Sequence, residues 1–224
     1  SALQGYKPAQ GILGTMFRDG IGVAKDFKQS IRWFYKAAVQ GHVFSQVSLG
    51  VMYATGKGVT KDPREAVKWY HRAAVKGDAE AQGKLAMMFF DGSGITQSYK
   101  QAAEWFRMAA EQGHEFSQLY LGGMYLEGKG VIKDNVRAYM WANISSSDGN
   151  KVAIELRNLT EKNMPPALIV EAQRLSRETE KKIRRNILAR ERTQIPENPT
   201  KLPSKLVEQA AKIVTSKIQF PKGP

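Results

Sequence analysis

The chain has no cysteine, which excludes disulfide frameworks and thiolate metal sites. It has only three histidines, and two of them, His42 and His114, are 72 residues apart. No cysteine or carboxylate ligand pattern accompanies them, so we expect no metal site. No apolar run reaches the length of roughly 18 residues that a membrane-spanning helix needs, so no transmembrane helix is expected either.

Catalytic patterns are also missing. The sequence contains no recognisable Ser/His/Asp arrangement and no cluster of polar residues that suggests perturbed ionisation. The glycine-lysine-glycine segments at residues 56–58 and 128–130 superficially resemble a phosphate-binding loop. They lack the Lys-Ser/Thr that such a loop requires, and they recur at equivalent positions, which is typical of a turn. We therefore expect neither an enzyme nor a bound cofactor.

Positive charge is concentrated in the last third of the chain. The formal net charge is +13, and residues 151–224 contribute 16 Lys and Arg against 8 Asp and Glu. A basic surface favours acidic partners, which include nucleic acid, anionic lipid and acidic proteins, without choosing among them.

An internal repeat organises the first two thirds of the sequence. All four tryptophans are spaced by 36 residues, and several other columns keep this period. These columns are Trp33, Trp69, Trp105 and Trp141; Met16, Met52, Met88 and Met124; Gln10, Gln46, Gln82 and Gln118; and Gly20, Gly56, Gly92 and Gly128. The period predicts four units of one structural motif.

Each unit is predicted to form two helices. In the second unit, Leu49, Met52 and Tyr53 recur on one helical face, and Gly56 ends this first helix. A second helix begins after Asp62, whose carboxylate is a good N-cap. The equivalent caps in the other units are Asp26, Ser98 and Asp134.

Small residues recur where helices are expected to pack closely. Gly14, Gly50 and Gly122 lie within helices, where glycine costs about 1 kcal/mol relative to alanine. Their recurrence predicts close helix–helix approach. Exact periodicity favours a core role for the tryptophan column over an aromatic cage, and a structural role for the glutamine column over a ligand ladder.

The repeat is similar to the Sel-one-like repeat family, which is related to tetratricopeptide repeats. The residues that carry this resemblance are Leu49 to Tyr53, Gly56 to Val59, Asp62, Ala66 to Ala74 and Gly77, and the match covers about residues 5–150. It implies an all-α fold, a right-handed superhelical solenoid of antiparallel helix pairs with C-terminal capping helices. It also implies an adaptor or scaffold that binds proteins, in bacteria, with a periplasmic or secreted location favoured over the cytoplasm. Inhibitors or immunity partners of toxins, and envelope assembly factors, are specific versions of that function.

The predicted organisation is four repeats, capping helices and a tail. The repeats cover residues 5–41, 42–77, 78–113 and 114–149, the capping helices residues 151–190, and a basic, proline-containing tail residues 191–224 with a short amphipathic helix at 204–218. Residues 2–5 parallel residues 38–41, so the chain is expected to be a piece of a longer protein; a native start with chance similarity is the alternative.

The candidate partner-binding groove is the concave side of the solenoid, which the first helix of each repeat lines in folds of this kind. The positions not needed for packing are Ile12, Thr15, Phe44, Ser48, Val51, Lys84, Met87, Phe90, Phe116, Tyr120 and Glu127. Exposed aromatic side chains in a groove are typical anchors for a peptide partner. The alternative is that Phe44 and Phe116 pack between repeats.

A second candidate surface is basic. It consists of Lys181, Lys182, Arg184, Arg185, Arg190 and Arg192, which could bind nucleic acid or anionic lipid. No aromatic residue interleaves them, so a solvated helix face is the alternative interpretation.

Overall fold

The computed structural model describes residues 6–147 and 149–193. Over these residues the chain is all-α, as predicted, with ten helices and no strand. The helices are α1 (Lys7–Asp19), α2 (Phe27–Val39), α3 (Val43–Thr55), α4 (Pro63–Ala74), α5 (Ala79–Asp91), α6 (Tyr99–Ala110), α7 (Glu115–Glu127), α8 (Asn135–Ser145), α9 (Lys151–Glu161) and α10 (Pro166–Thr193).

Successive helices pack as antiparallel hairpins. We call α1, α3, α5 and α7 the A helices and α2, α4, α6 and α8 the B helices. α1 packs on α2, α5 on α6 and α7 on α8; between repeats, α2 packs on α3 and α6 on α7. The described residues divide into two compact units within α4, which we call unit 1 (residues 6–69) and unit 2 (residues 70–193).

The ends of the A helices follow one scheme. Each ends at a glycine with a left-handed backbone, and in the first repeat the φ of Gly20 is 76°. Its N–H donates to the carbonyl oxygen of Met16 at 2.8 Å, and the next N–H donates to the same oxygen at 3.0 Å. Because glycine has no Cβ, it adopts this conformation at little cost.

The predicted N-caps of the B helices are confirmed. Asp26 accepts hydrogen bonds from the N–H groups of Lys28 and Gln29 at 2.8 and 3.0 Å. Asp62, Ser98 and Asp134 accept equivalent bonds. Each cap of this kind contributes about 1 kcal/mol.

The close helix approach predicted for the glycine column is confirmed in the first repeat. A Cβ on Gly14 would lie 2.5 Å from the ring of Phe34, which is fully buried. The paired alanines of α2 and α6 are also buried, so the B helices present small side chains to their neighbours. Phe34 packs with Leu49, Met52 and Trp69 in the core of unit 1.

The tryptophan column is only partly buried, whereas the glutamine column is structural as predicted. Trp69 and Trp141 are buried, but Trp33 and Trp105 are half-buried, and in those two repeats the fully buried aromatic residues are the next ones, Phe34 and Phe106. The side-chain amides of the glutamines donate to carbonyl groups at the ends of the B helices: Gln46 to Ala38, Gln82 to Ala74 and Gln118 to Ala110, at 2.9 to 3.1 Å.

The two C-terminal helices, α9 and α10, pack mainly through small side chains. In α9 the buried residues are Ala153 and Thr160, whereas Val152 and Leu159 are exposed. In α10, Leu168 is 43% exposed. The packed face instead contains Ile169, Ala172, Ser176 and Ile183, where small side chains allow α10 to lie close to α8.

α10 also continues past the predicted end of the capping region, to Thr193. The predicted amphipathic helix at 204–218, the rest of the tail from residue 194, and the segment 1–5 lie outside the described residues.

Candidate functional site

Of the predicted groove residues in unit 1, three are buried and two are accessible to solvent. Ile12, Thr15 and Ser48 are buried, with 8%, 4% and 6% of their surfaces exposed, so their assignment to an open groove is wrong. The hydroxyl of Thr15 donates to the carbonyl oxygen of Gly11, a bond within its own helix. Phe44 is half-buried against the core of unit 1, and Val51 is exposed.

The predicted groove residues of unit 2 all reach the surface. Lys84 and Glu127 are exposed, Phe116 is 44% exposed, and the other three residues, Met87, Phe90 and Tyr120, are half-buried. They project from α5 and α7. The burial pattern therefore leaves one candidate surface in unit 2, and no comparable set of large side chains on α1 or α3.

The three aromatic residues of this set lie together, and we call Phe90, Phe116 and Tyr120 the aromatic patch. The ring centroids of Phe116 and Tyr120 are 4.4 Å apart, and those of Phe90 and Tyr120 are 5.7 Å apart. Tyr120 stacks on the fully buried Phe106 at 5.3 Å with an interplanar angle of 25°. The core therefore holds the patch in a fixed arrangement, since aromatic pairs at these distances attract one another.

A glycine without a packing reason adjoins the patch. Gly123 lies one turn after Tyr120 on α7, and a Cβ there would meet no atom within 4 Å. A Cβ on Gly122, by contrast, would lie 3.3 Å from backbone atoms of α8. Since glycine destabilises a helix interior by about 1 kcal/mol, Gly123 leaves a notch that packing does not require.

A cluster of polar side chains lies at the N-terminal ends of α5 and α7. Nδ1 of His114 lies 2.7 Å from the hydroxyl of Ser117, and its Nε2 lies 3.1 Å from Glu80, which also pairs with Lys84 at 3.2 Å. The hydrogen bond to His114 lowers the pKa of the Glu80 carboxyl to about 2. Glu80 is thus ionised at neutral pH, and it fixes the junction of α5 and α7.

The chain is similar to a known family of repeat proteins. The family model described as the Sel1 repeat matches residues 7–42, 43–78, 79–114 and 116–150, which is more than half of the chain. The chain belongs to the Sel1 repeat family.

Two solved structures of Sel1 repeat proteins resemble the chain along most of its length. One is c5321, described as a protective antigen of uropathogenic Escherichia coli with the same repeat fold; it is 34% identical with a TM-score of 0.75. The match covers 91% of this chain and 44% of c5321, so this chain spans less than half of that protein. The other is a Sel1 repeat protein from Oxalobacter formigenes, 31% identical with a TM-score of 0.69, matched over 93% of this chain and 88% of its own. A search of curated proteins found no match.

Sel1 repeats generally act as non-enzymatic scaffolds for interactions between proteins. Within the described part of this Sel1 repeat chain, no three His, Cys, Asp or Glu side chains are grouped so that they could hold a metal ion. No described helix has both the length and the apolar character needed to cross a bilayer.

The predicted basic residues lie on the C-terminal half of α10. Lys181, Lys182, Arg184, Arg185, Arg190 and Arg192 are all exposed. Ile183, within the same run, is buried, and Arg190 donates a hydrogen bond to the side chain of Gln112. Most of the basic segment is therefore the solvent-facing side of a helix, while Ile183 and Arg190 face this Sel1 repeat array.

A second concave region of unit 2 was not predicted. It lies among α6, α7, α8 and α10, and its centre is formed by Arg107, Tyr125 and Arg137. Sequence analysis missed it because these residues come from three helices and the combination does not recur in the other Sel1 repeats.

Proposed function

We propose that this chain is a scaffold that binds a partner polypeptide through the aromatic patch on α5 and α7, and that it catalyses no reaction. The exposed portion of Phe116, held beside Tyr120 at 4.4 Å, is the observation that carries this proposal. Aromatic side chains that are already ordered before binding supply large contact area at low entropic cost, which is typical of binding hot spots.

The surroundings of the patch support the same function. The Gly123 notch offers space for a partner side chain, and Met87 supplies an adaptable apolar contact from α5. Lys84 and Glu127 lie exposed on the same two helices, where they give the polar rim common around an apolar contact. A helix or an extended peptide of a partner protein fits this chemistry.

The bacterial sources of the two solved relatives support a bacterial setting for the scaffold. A cell-envelope role, or inhibition of a toxin, is the more specific form of the proposal that follows from the sequence resemblance. Both forms require the same event, which is the capture of one protein on the A helices.

Site-specific photo-crosslinking in native extract tests the proposal. A benzophenone amino acid at position 123 faces open space, so it should label a partner without disturbing the packing of α7. The matched control is the same amino acid at position 108, since Met108 is 48% exposed in the same unit but lies on a B helix. We expect a discrete crosslinked protein from position 123 only, and its loss on Phe116→Ala with the circular dichroism unchanged.

Equal labelling from positions 123 and 108 would reject the aromatic patch as the binding site. The alternative, binding of nucleic acid or anionic lipid through the basic residues of α10, rests on the exposure of all six side chains. It predicts instead that capture survives Phe116→Ala and is lost when Arg184 and Arg185 are changed to glutamate, with a strong dependence on salt.

A further inference from the structure

Two adjoining cavities open on the B-helix side of unit 2. One has a volume of about 480 Å³ and the other about 540 Å³. They share the side chains of Arg107, Tyr125 and Arg137, so they adjoin, and we call the two together the depression. This depression uses none of the residues of the aromatic patch.

Tyr125 holds the two arginines in place. The guanidinium of Arg107 donates to the Tyr125 hydroxyl at 3.1 Å. The guanidinium of Arg137 lies 5.6 Å from the centroid of the Tyr125 ring, which is itself buried. Both positive charges are therefore ordered by one side chain before any ligand arrives, and this lowers the entropic cost of binding.

The positive charge of the depression is only partly neutralised by neighbouring acidic side chains. Among the described residues, the one ion pair made by either arginine joins Arg137 to Asp134 at 3.6 Å, and it is exposed. Lys100 and Lys182 add positive charge at the rim, against Glu104 and Glu111. The balance is positive, and it favours an anionic ligand.

Packing does not require this charge. The residues 72 positions earlier, which occupy the equivalent place in unit 1, are Tyr35, Tyr53 and Glu65. There burial raises the pKa of Tyr53, and the negative charge of Glu65 and the neighbouring Tyr35 add to this effect. The same repeat geometry thus accommodates a neutral or acidic triad, so the two arginines of unit 2 are a local feature.

The floor of the depression is apolar. Met140, Trp141 and Ile183 line it, and Ile132 stands at its edge almost fully exposed. Trp141 and Tyr125 are each 5% exposed, so neither offers a ring face on which a nucleic acid base could stack. A depression made of two adjoining cavities of about 480 and 540 Å³, cationic in the middle and apolar at its edge, suits an extended polypeptide better than a compact anion.

We propose that the depression centred on Arg107, Tyr125 and Arg137 is a second binding site, and that its ligand is an acidic segment of a protein that also carries apolar side chains. Carboxylates of the segment pair with the two guanidiniums and with Lys182, while its apolar side chains contact the exposed Ile132 at the edge of the depression. The site is independent of the aromatic patch, so either one can fail experimentally without the other.

Fluorescence anisotropy with a labelled eight-residue peptide of alternating aspartate and leucine tests this site on the full chain. We expect saturable binding that weakens about tenfold on Lys182→Glu and less than about twofold on Lys181→Glu. The two lysines are adjacent on α10 and carry the same charge, but only Lys182 lines the depression. Arg137→Glu should abolish binding, and it should leave the fold intact because unit 1 carries Glu65 at the equivalent position.

Four results would overturn the proposal. The first three are equal weakening by the two lysine variants, equal binding of a peptide with asparagine in place of aspartate, and no saturable binding. The fourth is preferential binding of an eight-nucleotide thymidylate, which would favour nucleic acid. In a two-dimensional NMR spectrum the indole N–H of Trp141 should shift on titration with the peptide, whereas that of Trp33 should not.

Discussion

Units 1 and 2 repeat the same packing but differ on their surfaces. A Cβ on Gly11 would lie 2.5 Å from the ring of His42, and one on Gly83 would lie 2.6 Å from the ring of His114. The rings of both histidines are held by a serine three residues later, at 2.7 Å. These contacts nearly coincide although they come from different parts of the chain. The interiors of the two units therefore share the same packing arrangement.

The side chains that face outward on the A helices differ between the two units. Phe44 and Phe116 are equivalent, and each ring lies 6.1 or 6.4 Å from a fully buried phenylalanine of its unit. Phe44 is nevertheless half-buried, whereas Phe116 is 44% exposed. Ser48 corresponds to Tyr120, and Arg18 corresponds to Phe90. Packing columns are constrained because each repeat must bury its neighbour, whereas outward columns are free to diverge. Function in this chain is best sought among the positions where the two units differ.

The largest effect should come from the shared core. Phe34 and Phe106 are equivalent and fully buried, so replacing either by alanine should destabilise its own unit by about 3–5 kcal/mol. Urea denaturation followed by circular dichroism measures the loss, and amide hydrogen exchange assigns it to residues 6–69 or 70–193. A difference of several kcal/mol between the two variants would show that the units do not share one core design.

A moderate effect should separate the two equivalent phenylalanines. Phe44→Ala should cost about 2–3 kcal/mol, because its ring packs at 6.1 Å from Phe34 among half-buried neighbours. Phe116→Ala should cost about 1 kcal/mol less, since much of its ring is already in water. Urea denaturation midpoints of the two variants measure the difference between these stability losses. Equal losses would mean that Phe116 is a packing residue, and the aromatic patch would lose its anchor.

A smaller effect is expected at the glycine–histidine contacts. Gly11→Ala and Gly83→Ala should each cost about 1–2 kcal/mol, because the histidine ring must move to admit the methyl group. Gly123→Ala is the matched control, since its methyl group enters open space and removes the helix cost of glycine. Thermal unfolding should rank Gly123→Ala above the parent chain and the other two variants below it.

The contrast between interior and surface also explains how much of the fold could be read from the sequence. The hydrogen bonds at the ends of the B helices could be predicted because the N-cap residues and the glutamines each recur in all four repeats. The C-terminal helices occur once, so no second copy was available to choose between Leu168 and Ile169 as the start of the packed face. Ser176 was not an obvious core position, yet its small size allows α10 to approach the backbone of α8.

The candidate binding sites could likewise be predicted from the sequence only in part. Phe90, Phe116 and Tyr120 could be proposed from sequence because they are large apolar residues in columns that packing does not use. Ile12 and Ser48 stand in the column of Tyr120, and Thr15 stands in the column of Val51 and Met87. All three are buried, because column position alone does not determine burial. The depression around Arg107, Tyr125 and Arg137 depends on which side chains of three helices meet, and this becomes visible only in three dimensions.

The smallest effect concerns pH and one further difference between the units. Glu80 contacts His114 in unit 2, whereas the equivalent of Glu80 in unit 1 is Pro8, which has no carboxylate to offer His42. The hydrogen bond to His114 lowers the pKa of Glu80 to about 2, below a value near 4.3 in an unfolded chain. A carboxyl with a lowered pKa stabilises the fold above its unfolded pKa, and this contribution disappears as the pH falls towards 2.

Glu80→Gln tests this difference between the units. Since half of the Glu80 side chain is exposed, we expect a contribution of about 1 kcal/mol or less. The free energy of unfolding of the parent chain should therefore fall more steeply than that of Glu80→Gln as the pH is lowered from about 5.5 to about 3. Hydrogen exchange should confine the difference to residues 70–193, and a matching loss in residues 6–69 would exclude Glu80 as its source.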